Sequence, residues 1–377
     1  MSTEETRRSA ADDRATDDGP PTWRRWLSFG LAAAVVLGVF VVILPQVSDM
    51  AEVWDTIRGL SGTAIAVLLA ATVWNQITYW LVAVAALPGL TLGKAAVMNL
   101  ASTAVANTVP AGGGVGVGLS ATILGSWGFS AAEIGRYVVV TGIWNNFVKL
   151  GMPVVALALL AFTGDANQRL VLTAVMGLVV LAVSIAGLIG LLRSEGVARW
   201  IGRTVQSAAT RVMRLFSRTP PTHLADRAAA FREDSRELLS NRWHWLTLAT
   251  VVGHTSLFLV LLATLRAIGI ESDDLTWIEA LAGFSFARLI TAVPITPGGV
   301  GLIELGYVGV FTQFGADKNA VVAGVLVFRM ISYLLPIPLG GLAYLLWARN
   351  DDWEREDEAS SPPSPDPRPS ARATADS

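Results

Sequence analysis

The chain has 377 residues, 53% of them hydrophobic and only 15% charged, with a net charge of −2. A soluble protein carries roughly 25% charged residues. Neither nucleic-acid binding nor a soluble globular domain fits that balance, and the absence of cysteine excludes disulfides, thiolate catalysis and cysteine-held metals. The three histidines, His223, His244 and His254, form no HExxH pair, so no metal and no cofactor is expected. Apolar runs of 18 residues and more instead predict an all-α polytopic membrane protein.

In chain order, residues 1–25 are polar, contain Pro20 and Pro21, and read as a disordered cytoplasmic N-terminus. The run 27–44 is too long for a signal-peptide core and has no small-x-small site before Gln46, so it reads as a retained anchor. Eight long spans are predicted: 27–46, 61–87, 93–109, 131–162, 168–192, 243–269, 277–294 and 318–348. Two glycine-led segments, 112–128 and 297–314, are shorter. Fifteen or so helical residues reach ~22 Å against a ~30 Å hydrocarbon core. They are half-helices, re-entrant loops or short crossings of a thinned region. After Arg349 the chain is charged, then Pro/Ser-rich, and reads as a disordered cytoplasmic tail.

The link 193–242 separates a first transmembrane half, 26–192, from a second, 243–348, and carries ten arginines against five acidic residues. Connections near 48–60 and 270–276 are acidic instead, with Asp49, Glu52, Asp55, Glu271, Asp273 and Asp274. The positive-inside rule therefore puts both termini and the link in the cytoplasm of a cell-membrane protein. Trp23, Trp26, Trp200, Trp243, Trp245, Trp277 and Trp347 lie near span ends, where an interfacial belt belongs. A link inside requires an even number of crossings before it. Counting 112–128 as one of them gives ten crossings in all, the preferred topology, since a re-entrant loop there would put the ten arginines outside; eight spans with two re-entrant hairpins is the alternative.

Shifting the chain by 185 residues lays Leu90 and Thr91 on Leu275 and Thr276, "GGVG" at 113–116 on "GGVG" at 298–301, Phe129 on Phe314, and Pro153 on Pro338. Such a shift predicts two repeats, inverted if the helix 168–192 adds one crossing. Inverted repeats with interrupted helices in matching places are the pattern of secondary transporters, whose substrate sits near the midplane between repeats.

In hydrocarbon, unwound backbone survives only where protein or a wet cavity covers it. Pro294 and Pro297 remove donors, while Gly298, Gly299 and Gly301 permit positive φ. A helix starting there would aim its N-terminus at an anionic group. Pro110 with Gly113, Gly114 and Gly116 repeats the device in the first half, where the Gly112/Gly116 and Gly114/Gly118 spacing equally suits helix packing. No nucleotide loop is present: "AGGGVGVGLS" fits GxGxxG in no register. Glu304 is a carboxylate in the bilayer, costing roughly 2.5–3.5 kcal/mol unless paired, hydrated or protonated. Arg288 and Arg329 are the cations in flanking spans. A salt bridge holding helices together and a headgroup or proton site are both open. The first half has Leu119 in that place, and its polar content is Asn99, Asn107, Asn145, Asn146 and Lys149. Asn145, Asn146 and Lys149 share a helix face. His254, Asn75 and Gln76 suit interhelical hydrogen bonds.

"PGGVGLIE" at 297–304, followed by "VFRMISYLLPIPLGGLAYL" at 327–345, resembles the second-half signature of the flippase-like integral membrane family, also called the lysylphosphatidylglycerol synthase transmembrane-region family. The resemblance covers roughly 27–348. It implies Pro297, Gly298, Gly299, Gly301, Glu304, Arg329 and Tyr333 as motif residues. The first half departs from the family's P-x-R-x-G-E/D stretch, with "PAGGGVGVGLS" and "GIWNNFVKL" in its place. In the best-known members this region is similar to a flippase fused to an aminoacyl-transfer domain; here the chain ends about thirty residues after its last span. The resemblance thus implies lipid translocation and not aminoacyl transfer. The expected protein is a non-enzymatic lipid transporter whose partner is an anionic or lipid-linked phosphate headgroup. The alternative is a non-transporting regulator of an envelope-biosynthesis enzyme.

Overall fold

The computed structural model describes residues 49–109, 112–163, 168–215, 223–290 and 299–350, and among these it is helical throughout. The span expected at 27–46, both tails, Pro110, Pro294, Pro297 and Gly298 lie outside the described residues. Among the described residues, five helical stretches are long and apolar enough to cross a bilayer: Gly62–Ala86, Ala131–Phe162, Val175–Arg193, Leu238–Ala267 and Lys318–Ala348. Apolar side chains such as Val73, Phe162 and Val183 stand fully or half exposed along them, which only a lipid solvent makes favourable. The protein is a multi-pass membrane protein.

Short helix α1 (Met50–Arg58) starts at Asp49, whose carboxylate caps the Ala51 and Glu52 amides. It is tied to the far end of the chain, because the Asn319 amide donates to Glu52 at 2.6 Å. Helix α2 (Gly62–Ala86) is apolar on every side. Helices α3 (Leu92–Thr108) and α4 (Gly112–Ser126) then run antiparallel against each other. Gly112 meets α3 backbone at Ala106, and Gly116 meets it at Ser102.

The glycines of α4 therefore do something other than open the backbone. Gly113, Gly114 and Gly116 lie within the helix at ordinary negative φ, so the unwound turn expected there is a helix start. The Gly112/Gly116 pair brings the two backbones together, whereas Gly113, Gly114 and Gly118 face open space. A methyl group at Gly116 would sit 2.7 Å from the Ser102 carbonyl oxygen. Gly116→Ala should cost about 1–3 kcal/mol as overpacking. Gly114→Ala should cost nothing and gain helix propensity. Thermal unfolding of the two purified variants in detergent separates them.

Helix α5 (Ala131–Thr163) opens with a reciprocal cap, Ser130 N–H donating to Glu133 at 2.9 Å and Glu133 N–H donating back to the Ser130 hydroxyl. Helix α6 (Gln168–Arg193) lies at the periphery against it. Helix α7 (Glu195–Leu215) packs against the start of α8 (Leu224–Ala267). With 44 residues α8 is about 66 Å long, so its first part extends well beyond the hydrocarbon. The link expected between the halves is thus mostly helix.

Helix α9 (Trp277–Ile290) opens with the same device as α5, Thr276 and Glu279 capping each other. Helix α10 (Leu302–Gln313) returns beside it, and α11 (Lys318–Arg329) continues through a π segment (Met330–Leu334) into α12 (Pro336–Ala348). Helices α3 and α9 start 185 residues apart, and α5 and α11 start 187 apart. Pro336 cannot donate to the Ser332 carbonyl, and the ladder widens there, the Leu335 amide reaching back to Met330 at 2.8 Å.

Three apolar cores form among the described residues, the smallest around Ala86, Val140, Trp144, Leu239 and Leu246. Another gathers Leu87, Met98, Ile123, Leu124 and Trp127 from α2 to α4. The largest collects Phe258, Phe284, Tyr307, Phe311 and Phe328 from α8 to α11. Helix α12 crosses over to the α2–α4 core. Gly340 rests on the α3 backbone at Leu100 and on the Ala104 side chain, and the Trp347 indole donates to Ser126 at 3.0 Å. Trp347 is therefore a tether between the halves as well as a residue at a helix end.

Candidate functional site

Helix α10 begins where the backbone turns through Gly299 at φ +71 and Gly301 at φ +88. Only glycine takes such values cheaply. Glu304 sits three residues into the turn and accepts from the Gly301 amide at 2.7 Å, so a side chain completes the helix start. Its other oxygen accepts from Arg329 Nε at 2.6 Å. Glu304 is 2% exposed, and each of its oxygens already has a donor. The Arg329 guanidinium lies over the Tyr333 ring, 4.2 Å from its centre. Tyr333 in turn donates its hydroxyl to the Asn107 carbonyl at 2.6 Å, and the Asn107 amide donates to the Tyr333 carbonyl at 3.0 Å. The end of α3 and the start of α10 thus both fasten to one stretch of the last long helix, near its middle.

A second polar group lies across Tyr307, which the charges of Arg288, Arg329 and Glu304 all reach. His254, in the apolar part of α8, is 1% exposed. Its Nδ1 faces Arg288 Nη2 at 3.4 Å and its Nε2 faces Asn145 Oδ1 at 2.7 Å. A guanidinium can only donate, so Nδ1 is the acceptor and the proton sits on Nε2, which donates to the Asn145 oxygen. Lys149, one turn further along α5, is close enough for its charge to act on both His254 and Arg288. Asn145 and His254 also border a cavity of about 300 Å³ between α2, α3, α4, α5 and α8. Asn99, Ser120, Thr141 and Thr250 give it a polar lining that hydrocarbon-facing surfaces lack. Glu304 is committed to Arg329, while Lys149 and Arg288 bring two cationic side chains to the neighbourhood of His254.

Residues 27–340 match the family profile described as the lysylphosphatidylglycerol synthase TM region. The chain belongs to that family. No match is found among curated proteins. The lysylphosphatidylglycerol synthase TM region is a membrane unit related to lipid handling, and it spans nearly all of the helical body described above.

Within this family member, the structure brings together Glu304, Arg329, Tyr333, Gly299 and Gly301, with Arg288 as a neighbour. Pro297 and Gly298 lie outside the described residues. Asn145 and Lys149 share the His254 group, but Asn146, on the same helix, is exposed and turned from it. Gly113, Gly114 and Gly116 stand apart, in α4, where Gly116 serves packing. Asn75 does what an apolar span asks of an amide: it donates to the Gly253 carbonyl and the Ser256 hydroxyl, joining α2 to α8. His254 makes an interhelical hydrogen bond, to Asn145, and Ser120, Thr141 and Thr250, which the sequence reading did not single out, line the cavity beside it. The one available signal was a histidine inside an unbroken apolar run.

Proposed function

We propose that the protein is a lipid transporter that takes an anionic headgroup, a phospholipid phosphate or lipid-linked phosphate, into the polar cavity beside His254. The observation that carries this reading is a polar cavity half-way along the long spans, bordered by Asn145 and His254, with the cationic Lys149 and Arg288 close enough to act on His254. Cationic side chains at that depth suit an anionic headgroup. Asn145, His254 and the cavity hydroxyls would replace part of the headgroup's hydration. Glu304, Arg329 and Tyr333 act in this reading as the frame that holds the hairpin tips, not as direct contacts. Catalysis plays no part in it.

The reading includes two inverted repeats with re-entrant hairpins. Support comes from leg length: α3 and α4, with 17 and 15 residues, reach ~25 and ~22 Å, and α10 with 12 reaches ~18 Å, each below a ~30 Å core. Further support comes from the contacts of the last helix. The open end of the α3–α4 hairpin, with Ser126, touches Trp347 at its finish, while the start of α11 follows directly on the open end of the α9–α10 hairpin. The hairpins would then enter from opposite faces. A hairpin returns the chain to the side it left whether its legs cross or re-enter, so the even-crossing requirement for the arginine-rich link is met both ways. Both termini and the link would face the cytoplasm.

Reconstitution tests it. In vesicles carrying a fluorescent anionic phospholipid, the wild-type protein should move lipid faster than empty vesicles do. Lys149→Gln/Arg288→Gln should slow that movement at least about tenfold, as loss of hydrogen bonds to a charged group implies, with an unchanged melting temperature. Wild-type rates in the double variant would sink the assignment.

A further inference from the structure

A second cavity among the described residues is larger than the polar one. A groove of about 1110 Å³ runs along the other side of the α5–α8 seam, walled by α5 and α6 and floored by α8, with Trp277 and Leu281 of α9 at its far end. Asn145 and His254 join the two helices on the polar side, and Trp144 joins them on the groove side by donating to Thr247 at 2.9 Å. The lining is apolar almost throughout, with Leu181, Ile185 and Leu192 on α6 facing Leu239 and Val251 on α8. At one end the character changes. Arg193 and Arg236 stand there, both exposed, beside Trp243, and neither is in an ion pair among the described residues.

We propose that this groove is a binding site for a single anionic glycerophospholipid, drawn from the leaflet that the arginine-rich link faces. The phosphate meets Arg193 and Arg236, and the acyl chains lie against α6 and α8. Charge and length both argue for this occupant. Two exposed guanidinium groups at the mouth of an apolar trough match a phosphate at the head of an acyl chain, and Arg matches phosphate geometry in particular. Along α6 the wall from residue 181 to residue 193 rises about 18 Å, roughly one leaflet of a ~30 Å core. Trp243 sits at the level where an amphipathic ring marks the headgroup boundary. The site is separate from the polar cavity and needs no translocation to exist.

The test uses the full-length protein in vesicles containing phosphatidylglycerol or phosphatidylcholine with a photoreactive group on the acyl chain, and maps the labelled peptides by mass spectrometry. Phosphatidylglycerol is expected to label peptides covering 181–193 and 239–258 in preference to phosphatidylcholine. Each arginine at a membrane surface is worth about fivefold in partitioning. Arg193→Gln/Arg236→Gln should erase the preference while leaving total labelling and the far-ultraviolet spectrum unchanged. Lys149→Gln/Arg288→Gln should keep it, so a failure of transport and a failure of this site are read separately. Two results overturn the proposal: label spread as heavily over the exposed apolar face of α2, which is annular lipid only, or a preference that survives in the Arg193/Arg236 double variant.

Discussion

Glu304→Ala is expected to destabilise the folded protein by about 3–5 kcal/mol, the usual cost of removing one partner from a buried ion pair. The carboxylate is nearly inaccessible and serves two donors at once, Arg329 Nε and the Gly301 amide. Its loss leaves a buried guanidinium without that counter-charge and uncaps the start of α10. Glu304→Gln keeps an oxygen for one donor and should fall between alanine and wild type. Replacing the pair by Glu304→Leu with Arg329→Met should recover much of the loss, because apolar substitutes for a buried pair are often neutral. Melting in detergent gives all four values. If alanine melts with the wild type, the pair is not the fastening described above.

Gly340→Ala should be nearly as damaging, although it adds only a methyl group. That methyl would run into the Leu100 carbonyl and the Ala104 side chain, and a helix backbone cannot swing aside as a flexible side chain can. Overpacking of this kind costs about 1–3 kcal/mol, with the upper end expected against backbone. The neighbouring Gly341 faces open space, so Gly341→Ala should be neutral or slightly stabilising. Helix α12 joins the second half of the chain to α3 of the first. Gly340→Ala should therefore also loosen the Trp347–Ser126 tether, read as increased tryptophan emission wavelength or faster proteolysis near residue 348.

Which parts of this were legible beforehand follows from range. The reciprocal caps of Ser130 with Glu133 and Thr276 with Glu279 span only four residues each and were open to a sequence reading, which did not single them out. Membrane character and helix content follow from composition alone. The family match over residues 27–340 agrees with the resemblance seen in "PGGVGLIE". The two GGVG strings show where local reading stops. They are identical, yet the first lies in a helix and the second contains two positive-φ turns. The difference comes from outside the string: the first is pressed against α3 at Ser102, and the second has Glu304 to take the Gly301 amide where the other copy has Leu119. The choice of Arg329 over Arg288 as partner of Glu304 depends on how α10 meets α11, and no spacing contains that. The Asn145–His254 contact joins positions 109 residues apart and was equally out of reach.

The reciprocal bonds at Tyr333 and the ion pair at Arg329 have a mechanical consequence. Their anchors are four residues apart on one helix, about 6 Å of rise. The tip of α3 and the tip of α10 are consequently pinned to the same rod from opposite halves of the chain. A shift of that rod along its axis displaces both tips together, and neither can withdraw alone without breaking its pin. The π segment begins immediately after Arg329 and contains Tyr333, so a change in winding there alters the distance between the two pins. The most irregular turn of the last helix is also the gauge that sets how far apart the two halves are held.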